Sequence, residues 1–193
     1  MIRFGSEIAG FGGDEQFVKS KASGKIYQGV YGNNIIFSTE IEGGILSMNK
    51  GYSKVVDRFL LGGRSFRGFK YSGIGPRELS GGGGGQYTIP LGGEKYAIAR
   101  LAASFPLGLP RELGLYGSVF AEAGSLWGIK TDPNVAGLSD KIGLTDRTLR
   151  TSIGFAMNWE TPIGPLQFNW SRPQKYLDAD SLEYFSLNLA TRF

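Results

Sequence analysis

At 193 residues, with 41% hydrophobic and 13% aromatic content, the chain is long enough for one core, and a single domain is expected. It holds 0 cysteines and 0 histidines, which removes disulfides, thiolate metal sites and the usual general base, so no enzymatic chemistry, metal or cofactor is expected. The net charge of +4 comes from Lys and Arg scattered along the sequence rather than grouped in blocks, so nucleic acid is not an expected partner.

No apolar run approaches the roughly 18 residues that a membrane-crossing helix needs. The first residues, Met1-Ile2-Arg3-Phe4-Gly5, carry neither a charged leader nor an apolar stretch, so the expectation is export directed elsewhere or a longer parent chain. Strands are expected in order at Ile2 to Ala9, Gln16 to Ile26, Asn34 to Ile45, Glu94 to Phe105, Gly114 to Trp127, Thr148 to Glu160, Leu166 to Ser171 and Glu183 to Phe193. The first two rest on the weakest patterns. In the third, Ile35, Phe37, Thr39 and Ile41 alternate with Ile36, Ser38, Glu40 and Glu42.

In the fifth, Leu115, Val119, Ala121, Ala123 and Trp127 alternate with Tyr116, Ser118, Glu122 and Gly124. The clearest period of two follows, with Thr151, Ile153, Phe155, Met157 and Trp159 set against Arg150, Ser152, Gly154, Ala156 and Asn158. The same pattern continues through Leu166, Phe168 and Trp170, and again through Phe185, Leu187, Leu189, Thr191 and Phe193.

Such alternation suits a soluble sandwich with its apolar face inside, or a membrane barrel with its apolar face toward lipid. Connector lengths favour the barrel. They are long at 49–90, 128–146 and 172–182 and short at 105–113 and 161–165, as when long loops leave one side of a membrane and tight turns the other. Trp127, Trp159, Tyr184 and Phe193 near strand ends fit interfacial aromatic girdles. The fold class is therefore all-β, an antiparallel transmembrane β-barrel of about eight strands.

Four segments carry a family resemblance: "FLLGGRSFRGFKYSGIGP" (59–76), "GSVFAEAGSLW" (117–127), "TSIGFAMNWETPIGPLQFNWSRP" (151–173) and the aromatic terminus Phe193. With these the chain resembles the C-terminal half of the barrel of the BamA-type outer-membrane protein assembly factors, the bacterial surface antigen family. The resemblance implies the last eight strands of a sixteen-stranded barrel, with the first half and the periplasmic domains absent from these residues. It implies residence in the outer membrane of a Gram-negative bacterium and a role in folding and inserting β-barrel proteins. Nascent outer-membrane β-barrel proteins, outer-membrane lipids and lipopolysaccharide are the implied partners. Accessory assembly lipoproteins would bind only through the absent periplasmic domains, and the missing half-barrel is a further candidate partner. Alternatives are an independent eight-stranded structural barrel, or a sibling such as TamA or a two-partner secretion translocator.

By the same resemblance the long loop folds into the lumen. Gly62, Gly63 and Gly68 permit its turn, Phe66 and Phe69 pack it, and Arg67 meets the wall acid Glu122. A second wall acid of the family falls near Ala102, where this chain has none. Phe185, Leu187, Leu189 and Phe193 mark the terminal strand, read as a seam and as an assembly signal with strand addition as its physical mode. Two other stretches carry no expected function: "GIGPRELSGGGGGQY" (73–87) reads as a loop tip, and Asp178 with Asp180, like Asp14 with Glu15, as loop solvation.

Overall fold

A computed structural model describes residues 1–10, 15–30, 34–80, 86–130, 142–162 and 164–189. Eight antiparallel strands form one sheet in the order β1 (Ile2–Ala9), β2 (Gln16–Val30), β3 (Ile35–Lys50), β6 (Lys95–Pro106), β7 (Leu115–Trp127), β9 (Arg150–Thr161), β10 (Gly164–Lys175) and β11 (Phe185–Leu189). Each pairs with the strands of this sheet that come before and after it along the chain, all antiparallel. Among the described residues β1 pairs only with β2 and β11 only with β10, so the sheet ends on these two edges.

The strands follow the expected positions, but β2, β3 and β10 run several residues further than their alternation suggested. The long connector at 49–90 holds more than loop. β4 (Arg77–Ser80) and β5 (Gln86–Pro90) form a hairpin within it, joined by β8 (Ile142–Gly143) from the next long connector. The stretch read as a bare loop tip therefore brackets residues 81–85, which lie outside the described residues, with two paired strands. A short 3-10 turn at Arg111–Leu113 links β6 to β7 at the opposite end of the strands.

Register settles which residues share a face. Phe37, Ile41 and Ile45 of β3 stand beside Ala103, Ala99 and Lys95 of β6, which in turn stand beside Val119, Ala123 and Trp127 of β7. Val119 and Ala121 then stand beside Phe155 and Ile153 of β9, and Phe155 and Met157 beside Trp170 and Phe168 of β10. This face is apolar and open, with Phe4, Ile41, Ile45, Leu101, Ile153, Trp170, Phe185 and Leu187 all exposed. The other face carries Lys25, Glu40, Glu42, Arg100, Glu122, Arg150, Asn158 and Asn169. A pleated strand sends successive side chains to opposite faces, so one sequence parity builds the apolar face and the other the polar face.

The packed core lies on that inner face, beneath the first long connector. Phe59, Leu61, Phe66, Phe69 and Ile74 of the connector bury against Leu46, Tyr96, Ile98 and Leu126 of β3, β6 and β7, with Phe17 and Leu182 at the margin. Residues 51–76 thus line the wall rather than leaving it, pinned by single bridges from Phe59 to Gly93, Leu61 to Ile74 and Phe69 to Leu182. Gly44 makes the close approach possible, because a Cβ there would collide with the rings of Tyr96 and Phe59.

Candidate functional site on the inner wall

The loop tip at 62–69 is built by two turns. Ser65 Oγ donates to the Gly62 carbonyl and accepts from its N–H, and the Gly63 N–H donates to the Phe69 carbonyl at 2.6 Å. Gly62 and Gly68 have φ of 126° and 92°, in the region that side chains disfavour. A Cβ on Gly62 would run into the Lys70 carbonyl, and one on Gly68 would press on Ser152 of β9. Phe66 and Phe69 are fully buried with ring centroids 4.9 Å apart, so the tip has its own apolar floor.

With both phenylalanines buried, Arg67 projects toward the wall. Its Nε donates to Glu122 Oε1 at 2.7 Å, Nη2 reaches the same oxygen at 2.7 Å, and its backbone N–H donates to Oε2 at 2.8 Å. One residue thus occupies both carboxylate oxygens, through side chain and main chain together, the arrangement a planar guanidinium favours. The guanidinium carbon also lies 3.5 Å from the centroid of Phe120, two residues before Glu122 on the same face of β7. Phe120 in turn lies over Gly154, where a Cβ would collide with its ring. Ser152 Oγ closes the arrangement by donating to the Arg67 carbonyl at 2.7 Å.

Where a second acid is absent, Ala102 stands between Ser38 of β3 and Phe120 of β7. The loop takes its second polar anchor from a cation instead. Arg100 of β6 donates through Nη2 to the Ser65 carbonyl at 2.6 Å and through Nη1 to Glu42 at 2.9 Å, and it lies 3.3 Å from Glu40. Tyr96 adds a 2.6 Å bond to the other oxygen of Glu42. Around these groups lies a polar cavity of about 620 Å³, lined by Lys25, Arg64, Ser104, Ser118, Asn158 and Gln167 among others. The lumen beside the loop tip is therefore open to water on one flank and closed by the apolar core on the other.

A second connector is tied to the same wall. Arg150 at the start of β9 and Asp180, in the connector between β10 and β11, are both fully buried in their side chains. They meet through two hydrogen bonds, Nε to Oδ2 at 3.1 Å and Nη2 to Oδ1 at 3.2 Å. Reading Asp180 as loop solvation is thus corrected: with Arg150 inside the wall, the acid must fold in to compensate the charge. Asp178 is exposed as expected, Glu15 pairs with the exposed Lys54, and Asp14 lies outside the described residues. Arg77 of β4 links the two connectors by donating to the Gly73 carbonyl and to Ser181 Oγ. Burial lowers its pKa, with the Asp180 carboxylate opposing.

On the terminal strand, Phe185, Leu187 and Leu189 stand on the outer face beside Trp170, Phe168 and Leu166 and are exposed there. Phe193 lies outside the described residues. Sequence reasoning passed over Arg100, Tyr96, Ser152, Phe120 and the pair of Arg150 and Asp180. One signal was present: Glu40, Glu42, Arg100, Glu122 and Arg150 all fall at the polar parity of consecutive strands.

Residues 1–193 match the Omp85 superfamily domain. The outer membrane protein assembly factor BamA of Neorickettsia risticii is 29% identical over 167 residues, covering 86% of this chain and 21% of its own length. A SAM50-like protein of Schizosaccharomyces pombe is 32% identical over 184 residues, covering 89% of this chain and 35% of its own. Among solved structures, BamA from Haemophilus ducreyi lacking POTRA domains 1–3 has the same fold at a TM-score of 0.70 and 24% identity, over 90% of this chain and 34% of that one. The chain thus spans between a fifth and about a third of the length of the proteins it matches.

Proposed function

Because the chain belongs to the Omp85 superfamily, we propose that it forms the C-terminal barrel wall of an outer-membrane protein assembly factor, one that folds and inserts β-barrel proteins. One observation carries the reading: an Arg-Gly-Phe loop is clamped by Glu122 to the inner face of an eight-stranded sheet whose outer face is apolar and whose last strand pairs, among the described residues, along one edge alone. The work in this reading is templating rather than covalent catalysis. The free edge of β11 offers backbone N–H and C=O groups to an incoming strand, and the clamped loop holds the wall next to that edge in one shape. The substrates are nascent outer-membrane β-barrel proteins, and the site is the outer membrane of a Gram-negative bacterium. Bacterial relatives support that location, although relatives also occur in eukaryotes.

An eight-stranded barrel closed on itself is the second reading. It needs β1 to pair with β11, a pairing that does not occur among the described residues. The test is to reconstitute the chain in liposomes and follow an unfolded outer-membrane barrel protein as it inserts. Faster insertion than into empty liposomes is expected, together with disulfide capture of the substrate by Ser186→Cys on β11. Insertion no faster than in empty liposomes, with no capture, would overturn the assembly role.

A further inference from the structure

The outer face of the sheet has a depression. Near the end that carries the long connectors, the outward positions of neighbouring strands are small: Ala22 of β2, Gly43 of β3 and Ala97 of β6 lie side by side in register. Larger side chains stand around them, Phe4 of β1 next to Ala22, and Ile45 and Trp127 one step along the strands. The result is an apolar groove of about 360 Å³ lined by Phe4, Ser20, Ala22, Gly43, Ile45 and Trp127. Lys21, Gly44 and Tyr96 also border it, but the Lys21 ammonium faces Phe59 and the Tyr96 hydroxyl reaches Glu42 on the inner side, so they contribute backbone. The volume falls within the roughly 300–1,000 Å³ of ordinary small-molecule sites.

The mouth of the groove is basic. Lys95 stands between Ile45 and Trp127 on the outward face and is exposed, and among the described residues it makes no ion pair. Arg147 lies over the Trp127 ring, its guanidinium carbon 5.1 Å from the centroid. Of the nearby acids, Glu94 is turned inward, where it accepts from Ser53 Oγ and the Lys130 N–H, and Asp146, exposed, precedes Arg147 in the chain. A greasy slot, an aromatic ring at its rim and two cations beside that ring match one chemistry: an acyl chain below and a headgroup phosphate above.

We propose that this groove binds one acyl chain of a phosphate-bearing anionic lipid, with Lys95 and Arg147 holding the headgroup. The site rests on the reading of the outer face as membrane-exposed. It would fix a single lipid on the wall formed by β1, β2, β3 and β6, far along the sheet from the free edge of β11.

Tryptophan quenching by brominated lipids separates the two ideas. The chain with Trp159→Phe and Trp170→Phe keeps Trp127 as its reporter, and the chain with Trp127→Phe and Trp159→Phe keeps Trp170, which lies mid-strand on the same outer face. Each is reconstituted in equimolar phosphatidylcholine and phosphatidylglycerol, with bromine on one lipid or the other. Trp170 should be quenched alike by both, which reports the wall in the bilayer. Trp127 should be quenched about fivefold more effectively by the phosphatidylglycerol. Lys95→Gln with Arg147→Gln should equalise the two lipids, and Gly43→Leu, which fills the groove, should lower Trp127 quenching by both. Equal quenching of Trp127 by the two lipids while Trp170 is quenched would overturn the lipid site alone. A Trp170 that neither lipid quenches would overturn the membrane wall and the site with it. Cysteine-free folding is checked in each variant by its circular dichroism, and Gly43→Ala serves in place of Gly43→Leu if the latter fails to fold.

Discussion

Two ion pairs tie connectors to the inner wall, and they do so with opposite polarity. At the first, the connector supplies the arginine and the wall supplies the acid, Arg67 to Glu122; at the second, the wall supplies Arg150 and the connector Asp180. Their surroundings differ as well. Arg67 keeps 13% of its side-chain surface beside the polar cavity, whereas Arg150 and Asp180 are both at 0%. The wetter pair adds a main-chain N–H, an aromatic face and a serine hydroxyl, so its energy is spread over several modest contacts. The dry pair concentrates its energy in one mutual neutralisation, and each partner becomes costly once the other is gone.

That contrast predicts a ranking of effects. Asp180→Ala should be the most damaging, at about 3–5 kcal/mol, because it strands the Arg150 charge inside the wall. Urea unfolding and faster hydrogen exchange at residues 176–184 would report it, and a loss no larger than that of an exposed pair would erase the distinction between the two anchors. Next come Arg67→Ala and Glu122→Ala, each expected at about 2 kcal/mol, the range of a hydrogen bond to a charged group. Protease cleavage within 62–69 measures the loosening. The double variant should be little worse than either single one, and simple additivity would mean that the two residues act independently.

Arg100→Ala should cost about 1 kcal/mol, releasing the Ser65 carbonyl but leaving the Arg67 clamp in place. Limited proteolysis should therefore open the 64–66 side of the tip first, and Arg100→Lys should restore part of the protection. The smallest change is expected at Lys25, whose ion pair with Glu40 has side chains 37% and 25% exposed. Lys25→Ala should fall below about 1 kcal/mol and vanish at high salt, while the Asp180→Ala effect should persist there. A salt-sensitive Asp180 effect would place that pair in water after all.

The inner-face charges show how far a linear reading reaches. Glu122 was reached through the family resemblance of the loop motif, which pairs its arginine with a wall acid, and the residue stands at the polar parity of its strand. Arg100 stands at the same parity on the next strand, yet what it holds, a backbone carbonyl of the loop 35 residues earlier, leaves no mark in side-chain pattern. Asp180 is harder still. In a polar connector an aspartate normally solvates, and only the fold of 176–184 against β9 and the loop tip, with the Lys70 N–H on the Ser181 carbonyl and the Glu183 N–H on the Gly68 carbonyl, brings it to Arg150. The hairpin of β4 and β5 escaped for a related reason: its strands are short and flank a run of glycine, so no period of two develops.

What the sequence determined by itself is the two-faced wall. The pleat makes each side chain's face a matter of odd or even position, so a period of two written locally becomes one apolar face and one polar face whatever the rest of the chain does. What only the tertiary structure decided is how the interior charges divide among partners. That depends on where two connectors cross the wall, and each crossing closes a long loop whose cost is offset by the buried core of Phe59, Phe66, Phe69 and Leu126 rather than by any local pattern.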